Sequence, residues 1–146
     1  MSVSNRVADV DVVHPLKQIG DRVEPFPTML WLRDGGLHRS IADLERRGSI
    51  KQLERRVVDD QAFAAALSAD HRRYAAARWA MLDAEQREFV AEQGWVEALR
   101  DRGVGGVADF TKVKCLHAHV AHALTDRAAG SDVVNAVGAW ALERIG

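Results

Sequence analysis

All three prolines of this 146-residue chain, Pro15, Pro25 and Pro27, fall within its first 27 residues. Proline fixes φ and lacks a backbone donor, so helix interiors reject it. Everything after Pro27 is free to be helical, and the N-terminal part is built differently. Two short stretches there, residues 7–13 and 28–32, are rich in β-formers and apolar side chains. Pro15, Gly20 and Asp21 stand between them as turn formers. The pattern predicts an antiparallel strand pair with a longish connection. In the second strand Met29 and Trp31 are expected on one face, with Leu30 and Leu32 on the other. Two strands alone are marginal, so they must pack on helices.

Past Gly35-Gly36 the apolar spacing switches to three and four. Leu37, Ile41 and Leu44 share a face, and Gly48 ends that helix. Ser49 is placed to cap a second helix carrying Ile50, Leu53 and Val57. Asp59 or Asp60 caps a long helix over residues 61–82, whose face holds Phe63, Leu67, His71, Tyr74, Arg78 and Met81. Shorter helices follow over 83–93 and 95–102. A glycine-rich connection over 103–106 leads to a helix over 109–127, capped by Asp109. A last helix runs over 132–145. The reading is mainly α (α+β): a single-domain helical bundle over residues 1–146 with a small N-terminal β-strand pair. A chain of this length suits one domain of roughly 100–200 residues.

Composition narrows the function classes. Hydrophobic residues make up 47% and charged residues 28%, which is ordinary globular usage rather than disorder. The 20 Lys+Arg nearly balance the 21 Asp+Glu. A whole-molecule attraction to nucleic acid or an anionic membrane is therefore not expected. No run of about 18 apolar residues could span a bilayer. Asp9 and Asp11 interrupt the place where a signal peptide needs an apolar stretch. With a single cysteine, Cys115, no intrachain disulfide can form. A cytoplasmic protein is expected. The basic run Arg46, Arg47, Lys51, Arg55 and Arg56 is interleaved with Glu45, Glu54, Asp59 and Asp60 and reads as a solvated face.

The segment from Lys112 to Leu124 holds Cys115 and half of the six histidines. At about 100° per residue, Val113, Leu116, Val120 and Leu124 form the core stripe. Cys115, His119, His122 and Asp126 line up opposite, while His117 lies near the edge of the apolar stripe. Cys115/His119 and His122/Asp126 have the i, i+4 spacing that offers two ligands to one metal ion. Cys115 and His122 are about 10.5 Å apart along the axis, so a single ion needs one pair and a ligand from elsewhere. His71 is the natural donor for that position. Thiolate with imidazole suits zinc.

In order along the chain stand Pro25-Phe-Pro-Thr28, His71-Arg-Arg-Tyr74, Gly105-Gly106, Lys114-Cys-Leu-His117, Ala121-His122 and Asn135-Ala-Val-Gly138. Over about residues 10–140 this resembles a bacterial family known as domain of unknown function 501. The resemblance implies a small cytoplasmic bacterial protein. It singles out Phe26, Pro27, Thr28, His71, Tyr74, Lys114, Cys115, His117, His122, Asn135 and Gly138. It favours His117 over His119, whereas the helical wheel favours His119. The two agree if Cys115 and His117 lie in a non-helical lead-in and the helix starts later. The chain departs from the family pattern at Val12-Val-His-Pro15, where relatives carry a cysteine-rich segment. It departs again at Ala136, where they carry proline.

Three function classes follow. The leading one is a transition-metal (zinc-like) binding module on Cys115, His117, His119, His122 and His71. The second is a non-catalytic interaction or structural protein whose Cys and His residues are packing groups. The third is a thiol- or metal-dependent hydrolase. Substrate, partner and self-association into a homo-oligomer are left open.

Overall fold

In the computed structural model, which describes residues 5–145, five short strands precede six α-helices. The strands are β1 (Asn5–Val7), β2 (Val10–Val12), β3 (Leu16–Ile19), β4 (Arg22–Pro25) and β5 (Leu30–Leu32). The helices are α1 (Gly35–Arg46), α2 (Ser49–Asp59), α3 (Gln61–Ala80), α4 (Ala84–Gln93), α5 (Leu116–Ala128) and α6 (Ala136–Ile145). A π-helical turn, Glu97–Asp101, and a 3-10 turn, Val104–Gly106, lie between α4 and α5. The protein is mainly α with a small antiparallel strand set at its N-terminus, as the proline distribution predicts.

The expected strand pair exists as β2 against β5, with Val10 opposite Leu32 and Val12 opposite Leu30. Its surroundings differ from expectation. The stretch 7–13 is broken at Ala8, whose φ of 52° turns β1 back onto β2. The connection is itself a hairpin, β3 on β4, turning at Gly20. Met29 and Trp31 do not share an environment either. Met29 lies before β5 and is buried, while Trp31 is 37% exposed. Only the inner face of this strand meets helices.

Helix starts obey local chemistry where an aspartate is available. Asp34, Asp60 and Asp83 each accept a hydrogen bond from the amide three residues on, and Gln86 completes a capping box with Asp83. Ser49 does not cap α2. Gly48, at φ 85°, turns the chain directly from α1 into α2, and buried Ser49 is already helical. Two other starts come later than predicted. Asp109 spends its carboxylate on the Thr111 amide in a local turn, and the helix begins only at Leu116. Asn135, rather than Asp132, opens α6 by accepting from the Gly138 amide.

α5 is the centre of the molecule. Leu116 and Val120 pack into a cluster with Ile41, Leu53, Phe63, Leu67 and Val137. Burying each such side chain contributes about 1.5–3 kcal/mol. The opposite side is buried too. Ala118 and Ala121 meet Val10 and Leu30 of the sheet and Met29 just before β5, with Tyr74 and Val104. A helix caught between a bundle and a sheet has no wet face, so its histidines must find partners inside the protein. Small residues permit the approach: a Cβ on Gly138 would come within 2.3 Å of the His119 carbonyl oxygen.

Arg78 ties the parts together. It is fully buried on α3. It donates to the carbonyls of Leu99 at 2.7 Å, Pro27 at 3.1 Å and Arg102 at 2.5 Å. Three backbone oxygens, with no carboxylate among them, hold the guanidinium. Burial lowers its pKa from the usual arginine value.

Candidate functional site

The candidate residues separate into two groups, both built on α5. The first stands at its N-terminal end. Cys115 is the N-cap residue, extended at φ −139°, and its side chain caps nothing. His117 lies in the first turn. Its Nδ1 is 3.1 Å from Glu45 Oε1 of α1, and its Nε2 is 3.2 Å from the His38 carbonyl oxygen. Glu45, Cys115 and His117 each offer a ligand atom, and these atoms lie within 4.8 Å of one another. Among the described residues no other three His, Cys, Asp or Glu side chains do so. All three residues are half-buried. The His38 ring lies 4.9 Å from that of His117, and its Nε2 donates to the Leu32 carbonyl. Thr28, Leu30, Trp31, Leu32 and His38 wall a cavity of about 300 Å³ that Cys115 and His117 open onto.

The geometry assigns protons here. A carbonyl oxygen only accepts, so His117 Nε2 carries hydrogen. Its Nδ1 then faces a carboxylate. Two lone pairs at 3.1 Å need a positive charge between them, supplied by a proton or a metal ion.

The second group lies one to two turns further along α5 and is buried. Asn135 Oδ1 accepts from the Gly138 amide at 2.8 Å and faces His119 Nδ1 at 3.1 Å. Its Nδ2 faces His122 Nδ1 at 3.0 Å. The amide therefore sets opposite tautomers: His119 donates from Nδ1, while His122 accepts at Nδ1 and carries its hydrogen on Nε2. His119 Nε2 is a buried atom with no hydrogen-bond partner. His71 spends both nitrogens on backbone, Nε2 donating to the Lys112 carbonyl and Nδ1 accepting from the Val104 amide, each at 2.9 Å. The 103–106 segment is thus a clamped turn rather than a loose connection. A Cβ on Gly103 would come within 2.4 Å of His71 Nδ1. Asp126 takes both terminal nitrogens of Arg73, at 2.9 and 3.0 Å, and accepts from the Asn135 amide; Asp70 takes Arg73 as well.

Burial holds all three of these imidazoles below the ordinary histidine range, and His119 is pushed down to about 3 by burial and by the neighbouring His71. The paired carboxylates Asp126 and Asp70 raise the pKa of Arg73.

The remaining motif positions are structural or rim residues. Tyr74 Oη accepts from the Met29 amide, and its ring stands edge-on to His122. The Thr28 carbonyl accepts from Trp31 Nε1. Phe26 lies against Trp31, Lys114 is exposed, and Gly138 lets α6 reach α5. Sequence reasoning missed Glu45 and His38. The available signal was their spacing of seven, which puts both on one face of α1, but a helical face does not name its distant partner. The basic residues Arg46, Arg47, Lys51, Arg55 and Arg56 are all exposed, as a solvated face requires.

A family model described as protein of unknown function (DUF501) matches residues 3–143. No curated protein and no solved structure matches the chain.

Proposed function

The chain belongs to the DUF501 family, and we propose that it is a metal-binding module that holds a zinc-like ion through Glu45, Cys115 and His117. The observation that carries this reading is the paired lone pairs of His117 Nδ1 and Glu45 beside a thiol. The His38 carbonyl fixes the ring with its Nε2 hydrogen outward from the site, as the outer partners of metal-ligating histidines do. Sulfur, nitrogen and oxygen donors in one set suit zinc, which takes three protein ligands where a fourth position stays open. Here the open direction is the cavity beside Cys115 and His117. The ion would supply a Lewis acid. The chain's own part is to orient three ligands from α1 and the start of α5. The buried group contributes no ligand in this reading, because His71 has both nitrogens committed and neither His119 nor His122 belongs to the three-residue group at the start of α5.

A thiol hydrolase is the poorer reading. A cysteine nucleophile needs an imidazole nitrogen to take its proton while a third group holds the other nitrogen. In His117 a backbone carbonyl holds Nε2 and Glu45 faces Nδ1.

The test is titration of tag-free protein with zinc and with cobalt(II). The expected result is one ion per chain, with a thiolate-to-cobalt charge-transfer band that Cys115→Ser abolishes. Glu45→Gln and His117→Ala weaken binding by at least about tenfold, or about 1.4 kcal/mol. A wild-type chain that takes up no ion, or variants that bind as tightly as wild type, would overturn the reading.

A further inference from the structure

A second cavity, of about 420 Å³, opens on the other flank of α5. Val12, Met29, Leu30 and Met81 give it an apolar wall, and His122, Arg73 and Asp126 give it a polar floor. His122 is 5% exposed. Asn135 occupies its Nδ1, so the hydrogen sits on Nε2. Asp126 Oδ1 stands 3.9 Å from Nε2, beyond hydrogen-bond reach. Because His122 lines the cavity, its Nε2 hydrogen is a donor that a ligand there can use. Arg73 Nε is a buried donor without a partner.

We infer that this cavity binds a compact, neutral molecule with an apolar body and one carbonyl-type oxygen that accepts from His122 Nε2. The floor fixes the sign of the preference. Asp70 and Asp126 share the single cation Arg73, so the cluster carries one net negative charge while His122 is neutral. Arg73 Nη1 and Nη2 are already spent on those carboxylates. An anion therefore meets repulsion without a free ion pair, whereas a ketone or amide oxygen meets an open donor. The site is independent of the metal reading and shares none of its ligand residues, although Leu30 lines both cavities.

The probes are cyclohexanone and cyclohexanecarboxylate, which differ chiefly in charge, added to chelator-treated full chain. Histidine side-chain ¹⁵N and methionine methyl resonances are followed by NMR. Cyclohexanone is expected to shift His122 Nε2 together with the Met29 and Met81 methyls. The carboxylate is expected to bind at least about tenfold more weakly, given a like charge within a few ångströms. Ala77 is exposed and lines the cavity, so Ala77→Trp fills the mouth without disturbing the core. It is expected to abolish the cyclohexanone shifts while leaving the rest of the spectrum in place. Equal binding of both probes, shifts that survive Ala77→Trp, or no response at His122 would each overturn the inference.

Discussion

His117 and His119 sit two residues apart on one helix, and their surroundings give them opposite chemistry. His119 faces an amide. Asn135 can be acceptor and donor at once, so it serves two neutral imidazoles, and burial rather than the amide keeps charge off His119. His117 faces a carboxylate, which only accepts, and the pair is complete only when a cation joins it. The lesson is that the partner's hydrogen-bond valence, rather than the histidine, decides whether its lone pairs are satisfied as a neutral strut or left facing an acceptor. Depth reinforces the difference. The Asn135 group lies where bundle and sheet both cover α5, while Glu45, Cys115 and His117 stand at the half-buried helix start beside a cavity.

The comparison is broken most severely at Asn135. Asn135→Ala removes the acceptor for His119 and for the Gly138 amide, and the donor to His122, leaving several buried groups unpaired. Denaturant unfolding should record a loss of about 3–5 kcal/mol. The same change at Cys115, in metal-free protein, should cost far less.

Zinc sharpens the other side. If only the folded chain binds, an excess of 100 times Kd adds about 2.7 kcal/mol to stability. The gain should appear in thermal unfolding of wild type and vanish in Cys115→Ser. An equal gain in the variant would move the ion to another place.

Acid separates the two groups again. The folded-state pKa values of His71, His119 and His122 lie below the unfolded value of 6.5, so the unfolded chain binds more protons in this range. Their contribution is present above about pH 6.5 and is lost as pH falls towards the folded values. From His119 alone, with its pKa about 3, the loss between pH 7 and pH 5 is about 2 kcal/mol. Unfolding followed across that range should show this slope, and Asn135→Ala should change it. A flat profile would mean that the network takes up protons while folded.

The smallest effect belongs to the basic face of α1 and α2. Lys51→Ala and Arg55→Ala are exposed changes expected within about 0.5 kcal/mol, with zinc uptake unchanged.

The proline cluster, the apolar spacing and the aspartate caps were enough to predict a mainly α chain with strands at its start. Those signals are local, because a cap or an i, i+4 stripe needs only its own turn of helix. Val120 and Leu116 lie in the core because their periodicity puts them there. The rest depended on contacts distant in sequence. Asp109 has the chemistry of a cap but binds Thr111 instead, and α5 starts only at Leu116, with Cys115 as its N-cap. The family motif had set His117 against the helical wheel, and a non-helical lead-in holding both Cys115 and His117 would have reconciled them; α5 does start late, but only Cys115 precedes it and His117 is already helical. Which ligand-type residues meet was not legible. Glu45 reaches His117 across 72 positions of sequence, and Asn135 reaches back 16 positions to His119. A helical wheel orders one helix; only the packing of α1, α3 and α6 around α5 decides what each of its faces touches.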